Sequence, residues 1–184
     1  MRDRGRARPL RKGDKMIYLS RYRSPLGEIN LSATQDALTG LWFDGQVKRA
    51  EIPVGAAWML REDLPLFREC RCWLDAYFGG DMPAADAIPL APFGSAFRLR
   101  VWRALLEIPY GETVTYGDLA AQLGRDEDGR LTSPRAVGGA VGRNPIAVII
   151  PCHRVLGKSG KLCGYSGGLL RKASLLRRER ALLV

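Results

Sequence analysis

Cys152 and His153 lie side by side in I-P-C-H-R-V, residues 150–155, and His153 is the single histidine of the chain. A cysteine attacks as its thiolate, and its pKa falls beside an imidazole, a cation or a helix N-terminus. Adjacent side chains of a regular strand point to opposite faces, so a strand here would keep thiol and imidazole apart. A working pair therefore requires a turn or a helical start after Pro151, if need be with one water between the groups. The imidazole in turn needs an acid to fix its tautomer and stabilise its cation. Spacing does not select that acid, and a purely structural Cys-His pair fits the same residues.

The other cysteines offer less. C-R-C at 70–72 is not the C-x-x-C of a zinc site, and one histidine leaves few further ligands, so no metal is expected. Thiols of an intracellular chain this long stay reduced, and Cys70 reads as a small buried hydrophobe on a helical face. Hydrophobic residues at 46% and charged residues at 26% of 184 describe a globular chain with a sizeable core. No run approaches the roughly 20 apolar residues of a membrane span. The start, M-R-D-R-G-R-A-R-P-L-R-K-G-D-K, lacks the apolar core of a secretory signal, and the cytoplasm is the expected compartment. A net charge of +10 suits a polyanionic partner, although a merely basic surface has the same total.

Elements must hold these residues in place. Residues 1–15 read as a basic arm. The runs 16–22, 28–33 and 38–43 are rich in β-branched, aliphatic and aromatic residues. The turn chemistry of S-P-L-G and T-Q-D-A separates them, which predicts a three-stranded antiparallel sheet. From Leu64 the period changes to three and four through Leu66, Phe67, Cys70, Trp73, Leu74, Tyr77 and Phe78, with a stop at Gly79-Gly80. That makes a small α/β lobe over 16–81, and the Pro/Ala-rich stretch 82–91 reads as a linker.

A mostly helical lobe over 92–184 follows. Phe97, Val101, Leu105 and Ile108 form one stripe, Thr115 and Asp118 a capping box, and Gly124 a stop. After the polar loop 125–132, Ser133-Pro134 opens a helix, R-A-V-G-G-A-V-G-R, that ends before Asn144-Pro145. The fold class is α/β of the α+β kind. The two short helices look like a helix-turn-helix, though many such pairs are only core. Gly138 and Gly139 inside a helix cost about 1 kcal/mol each against alanine, which implies close approach by another helix or by a nucleic-acid backbone.

P-C-H-R-V at 151–155 resembles the active-site signature of the O6-alkylguanine-DNA alkyltransferases, also called methylated-DNA–protein-cysteine methyltransferases. The resemblance continues through F-R-L-R-V-W-R-A-L-L-E-I-P-Y-G-E-T-V-T-Y at 97–116, R-A-V-G-G-A-V-G-R-N-P at 135–145 and G-Y-S-G-G at 164–168. It implies that Cys152 is the acceptor nucleophile, His153 its base through water, and Glu179 the third member. Tyr116 would help turn the nucleotide out and contact the guanine. Arg135 would fill the gap left in the duplex, on a helix that enters the minor groove with Ala136, Gly138, Gly139 and Arg143. Asn144 would be the hinge before the cysteine loop, and Val155, Tyr165 and Ser166 would meet the flipped base.

By that resemblance the partner is double-stranded DNA bearing an alkylated guanine, no cofactor is needed, and the protein acts as a monomer, with cooperative binding left open. An alkyl group on guanine O6 lies within the base stack, so reaching it means extruding the nucleotide, at on the order of a few kcal/mol. The product is a thioether, a poor leaving group, so each molecule acts once. Loop 125–132 is longer than is usual for the family, and either touches DNA through Arg125 and Arg130 or is simply mobile. Two rival readings are a lesion-binding protein that transfers nothing, whose relatives lack this cysteine, and a Cys-His-Glu hydrolase. The hydrolase would gain nothing from the basic charge.

Overall fold

The computed structural model describes residues 16–46, 56–125 and 129–180. The arm at 1–15 lies outside them. Strands β1 (Met16–Ser24), β2 (Gly27–Ala33) and β3 (Leu38–Phe43) form the expected antiparallel meander, with Leu31 opposite both Ser20 and Leu41. Alternation along β2 buries Ile29, Leu31 and Ala33 completely.

The sheet has four strands, not three. Strand β4 (Ala57–Leu60) pairs with β1 in parallel, giving the order β3-β2-β1-β4. The run A-W-M-L has no period-2 alternation, and a parallel strand arrives by a crossover without the hairpin turn that marks an antiparallel one. Helix α1 (Pro65–Gly79) starts with proline in its first turn and ends at Gly80 in the left-handed region. It buries the seven residues that its period singles out.

Stretch 82–91, expected as a linker, is packed onto the sheet. It makes a 3-10 turn at Ala85–Ala87, and the Leu38 amide donates to Pro89 O while the Ala91 amide donates to Leu38 O, each at 2.8 Å. The same edge of β3 takes up the chain before Cys152: the Leu41 amide donates to Pro145 O at 2.8 Å and the Ala147 amide to Leu41 O at 2.7 Å. One strand edge thus holds two distant segments.

The remaining elements are α2 (Ala96–Leu106), β5 (Val114–Thr115), α3 (Tyr116–Leu123), α4 (Pro134–Val141), β6 (Val155–Leu156) and α5 (Leu169–Arg178). Thr115 and Asp118 close the capping box on α3, and Ser133 caps α4 by accepting from the Ala136 amide. Trp102 Nε1 donates to Ala140 O at 3.0 Å and so fastens α2 to α4. The ends of loop 125–132 are closed by a bridge between Arg125 and Leu131, and Arg125 Nη1 donates to Gly129 O at 2.6 Å. No helix among the described residues is long and apolar enough to cross a membrane.

Candidate active site

Two tight turns deliver the thiol. Val148 has φ 69°, in the left-handed region that a β-branched residue rarely adopts, and the Ile149 amide donates across it to Ala147 O at 2.8 Å. Pro151 lies at φ −81° and ψ 59°, the inverse γ-turn, with the Cys152 amide donating to Ile150 O at 2.8 Å. The proline ring presets that φ. Asn144 clamps the loop from inside, donating from Nδ2 to Ile150 O at 2.8 Å and accepting from the Ile146 amide at 3.0 Å. Backbone strain of this kind persists only where the surroundings enforce it.

After Pro151, residues Cys152–Arg154 turn as a 3-10 helix and β6 begins. This is the helical start that a working pair requires, and it frees His153 from the strand rule. His153 is fully buried, and its Nε2 lies 2.7 Å from Glu179 Oε1. An ionised carboxylate only accepts, so Nε2 carries the proton and Nδ1 presents a lone pair. Nδ1 is buried with no hydrogen-bond partner among the described residues.

Glu179 lies just past the end of α5, and its carboxylate is surrounded by donors. Arg154 Nε donates to Oε2 at 2.7 Å and Nη2 to Oε1 at 3.1 Å, while Nη1 donates to Ile108 O at 2.6 Å. Tyr77 donates its hydroxyl proton to Oε1 at 2.7 Å from the other half of the chain. Burial is the strongest single influence on Glu179 and acts upward, but the hydrogen bonds and charges of His153 and Arg154 together outweigh it, to about 2. Arg154 therefore pairs with the acid, not with the thiol next to which it stands in sequence.

Cys152 is 6% exposed, and burial pushes its thiol up, against the Asn144 hydrogen bond and the Lys172 charge. Burial likewise lowers His153, which Glu179 opposes. Both shifts favour the uncharged forms, thiol and imidazole, so a thiolate at Cys152 would have to be generated by proton transfer.

Lys172 is a residue that the sequence reading missed. It is completely buried, and its ammonium donates to Val155 O at 2.5 Å, Cys163 O at 2.6 Å and Gly164 O at 3.3 Å. A signal was present: Lys172, Leu175, Leu176 and Glu179 recur at the spacing of one helix face, so the two charges share the buried stripe of α5. The lysine ties β6 to the segment 163–164.

Around the thiol, Tyr116 opens α3, and burial, then the nearby Cys163 and Cys152 thiols, push its phenol up to about 12, which keeps it a donor. Ser166 Oγ donates to Gly142 O at 2.6 Å, so the G-Y-S-G-G loop is pinned to the end of α4. Tyr165 OH is buried without a partner among the described residues. Gly167 fits between the Tyr165 and Phe43 rings, where a Cβ would meet carbon at 2.8 and 3.2 Å. Val155 is completely buried in β6, with its carbonyl turned to Lys172. On α4, Arg135 and Ala136 are exposed and Gly138 and Gly139 are half-buried, and Arg143, just past its end, is exposed.

Residues 96–181 match the 6-O-methylguanine DNA methyltransferase, DNA binding domain, and residues 17–92 match the ribonuclease-like domain of the same family. The methylated-DNA–protein-cysteine methyltransferase of Methanosarcina acetivorans is 44% identical over 163 residues, covering 89% of this chain and 98% of that protein. The chain belongs to the 6-O-methylguanine DNA methyltransferase family. The Haemophilus influenzae methylated-DNA–protein-cysteine methyltransferase is 39% identical over 164 residues, 89% of this chain and 87% of the relative. Among solved structures, the Mycobacterium tuberculosis O6-methylguanine methyltransferase superposes with a TM-score of 0.75 at 41% identity, covering 90% of this chain and 94% of that one. That protein has also been solved in complex with DNA, with a TM-score of 0.74. Within the family's two-part division, Cys152, His153 and Glu179 all fall in the DNA binding domain, whereas Tyr77 comes from the ribonuclease-like domain.

Proposed function

We propose that this methyltransferase repairs O6-alkylguanine, O6-methylguanine above all, in double-stranded DNA by moving the alkyl group irreversibly to Cys152. The observation that carries this reading is the chain of contacts behind the thiol: Glu179, 26 residues from His153 in sequence, lies 2.7 Å from its Nε2 and leaves Nδ1 as the free acceptor. The thiol proton passes to Nδ1, directly or through one water, and Glu179 stabilises the imidazolium that forms. The thiolate sulfur bonds to the alkyl carbon as the carbon–O6 bond breaks, and the bonding pair stays with the guanine. Tyr116, held protonated by its surroundings, donates to the charge developing on that base.

DNA is met by α4. Its glycines support this: a Cβ on Gly138 or Gly139 would have ordinary 3.8 Å contacts with Tyr116 and Arg143, so packing inside the described protein does not demand them. A close approach from outside, by the sugar-phosphate backbone in the minor groove, does. Arg135 and Arg143 flank that face, Arg135 taking the place of the extruded base. Asn144 then works as the hinge between this helix and the cysteine loop, and Val155, Tyr165 and Ser166 border the base. The protein acts as a monomer in the cytoplasm.

The test is intact mass after incubation with a duplex containing one O6-methylguanine, run beside Cys152→Ala. One methyl localised to Cys152 and absent from the variant is the expected result. Tight lesion binding without a mass change would identify a non-catalytic sensor and end the transfer reading.

A further inference from the structure

We propose that Tyr77 is a positioning residue for alkyl transfer, its hydroxyl holding the Glu179 carboxylate in the orientation that meets His153 and drawing off part of its charge. This deepens the alkyl-transfer reading and rests on it. The hydroxyl lies 2.7 Å from Glu179 Oε1, the same oxygen that His153 Nε2 approaches at 2.7 Å. These two short bonds share that oxygen with the longer one from Arg154 Nη2 at 3.1 Å, so weakening or removing one strengthens the others.

The geometry is locked from the α1 side. Tyr77 is 1% exposed, its ring stacks on Trp73 at 5.5 Å and 8°, and Phe78 and Tyr110 meet it edge-on at 5.3 and 6.2 Å. A phenylalanine would fill the same ring site, so packing does not explain the hydroxyl. Burial and the neighbouring carboxylate keep the phenol protonated, so it can act only as donor to Glu179. The ribonuclease-like half of the chain thereby reaches the triad with one atom.

Every charged or titratable group facing this pair enters the expected pH response. Arg154 neutralises Glu179 from the 3-10 turn, the Lys172 charge on α5 acts on His153 and on Cys152, and the buried Tyr165 phenol feels Glu179 and Cys152. Tyr110, with its hydroxyl at 3.4 Å from Arg178 O, and Arg178 and Arg180 border the carboxylate. Changing Tyr77 leaves all of these in place. Without the phenol, the Glu179 charge bears more fully on His153, the imidazolium is favoured, and the imidazole is already protonated at a higher pH. The acid limb of the transfer rate should therefore move upward by about half to one pH unit in Tyr77→Phe. With 3-fluorotyrosine at position 77, a stronger donor, it should move downward.

The experiment is single-turnover methyl transfer from an O6-methylguanine duplex, protein in excess, across about pH 5 to 9. Wild type, Tyr77→Phe and the fluorotyrosine protein are compared, with melting temperatures recorded alongside. Limbs displaced in opposite directions support the positioning role, because a packing defect would lower stability and leave the limb where it was. Coincident limbs in the three proteins overturn it, whatever happens to stability. If Tyr77→Phe does not fold, the fluorotyrosine protein decides on the same criterion. A wild type that transfers no methyl to Cys152 overturns the functional reading itself, and the role of Tyr77 with it.

Discussion

Burial favours the neutral form of all three residues proposed to carry the transfer. It keeps Cys152 a thiol and His153 an imidazole, but at Glu179 it is outweighed, because Tyr77, His153, Arg154 and the Gly111 amide converge on the two carboxylate oxygens. Truncating the acid is costly: Glu179→Ala leaves the Arg154 charge without its counterion in a buried site, and urea melts should show a loss of about 3–5 kcal/mol. Glu179→Gln keeps the shape, should lose less stability, and should still slow transfer by an order of magnitude or more, since the imidazolium loses its counter-charge. The sign for pH follows from the two shifts. Glu179 is depressed when folded, so its contribution is complete above the ordinary carboxylate pKa of 4.5 and fades as pH falls toward about 2. His153 is also depressed, so the unfolded chain takes up its proton first, and stability declines from about pH 6.5 downward. Denaturant melts should fall below about pH 6.5 through His153 and fall further from pH 4.5 toward about 2 through Glu179, and a flat profile in either window would contradict the assignment of that residue.

At the scale of elements, α4 and the loop after β6 carry contrasting demands. Gly139→Ala adds a helix-favouring residue where the protein has room, and is expected to raise stability by up to about 1 kcal/mol while weakening binding to lesion DNA. A variant that binds DNA as well as the wild type would remove the close-approach account of this helix. The G-Y-S-G-G loop is held from the sheet side by Arg171. Its guanidinium lies 4.8 Å from the Phe43 ring centroid, Nε donates to Leu26 O at 3.0 Å and Nη1 to Gly167 O at 3.1 Å. Arg171→Ala should speed hydrogen exchange at residues 164–168 and reduce the transfer rate without altering the Cys152 product.

Across the whole molecule, the two halves are interlocked at β3 and at Tyr77. The sheet edge holds both 89–91 and 145–147, so the backbone bonds that shape the cysteine loop come partly from the sheet. Residues 92–184 expressed alone should therefore lose the strained turn at Val148 and transfer poorly, which the mass assay reads directly. The net charge of +10 belongs to the same scale. Affinity should fall with salt at a slope of about −0.9 per phosphate neutralised, and deleting the basic residues of 1–15 should flatten it. An unchanged slope would remove the arm from the interface.

Much of this protein could be read from its sequence because the signals are local. Period, caps and turn residues located β1, β2, β3, α1, α3 and α4, since each depends on neighbours within a few positions. The Cys152-His153 pair, and the requirement for a turn after Pro151, came from chain chemistry alone. What lies far apart in sequence needed the tertiary structure. Strand β4 pairs through a crossover, and stretch 82–91 is fixed by main-chain bonds that leave no mark on side-chain type. The sequence proposed Glu179 by resemblance, and the fold brought it to His153. The roles of Tyr77 and Lys172 are chemically silent in the chain, one an aromatic on an apolar helix face and the other a lysine among arginines. Their hydroxyl and ammonium acquire meaning from the acceptors that folding brings within hydrogen-bond reach.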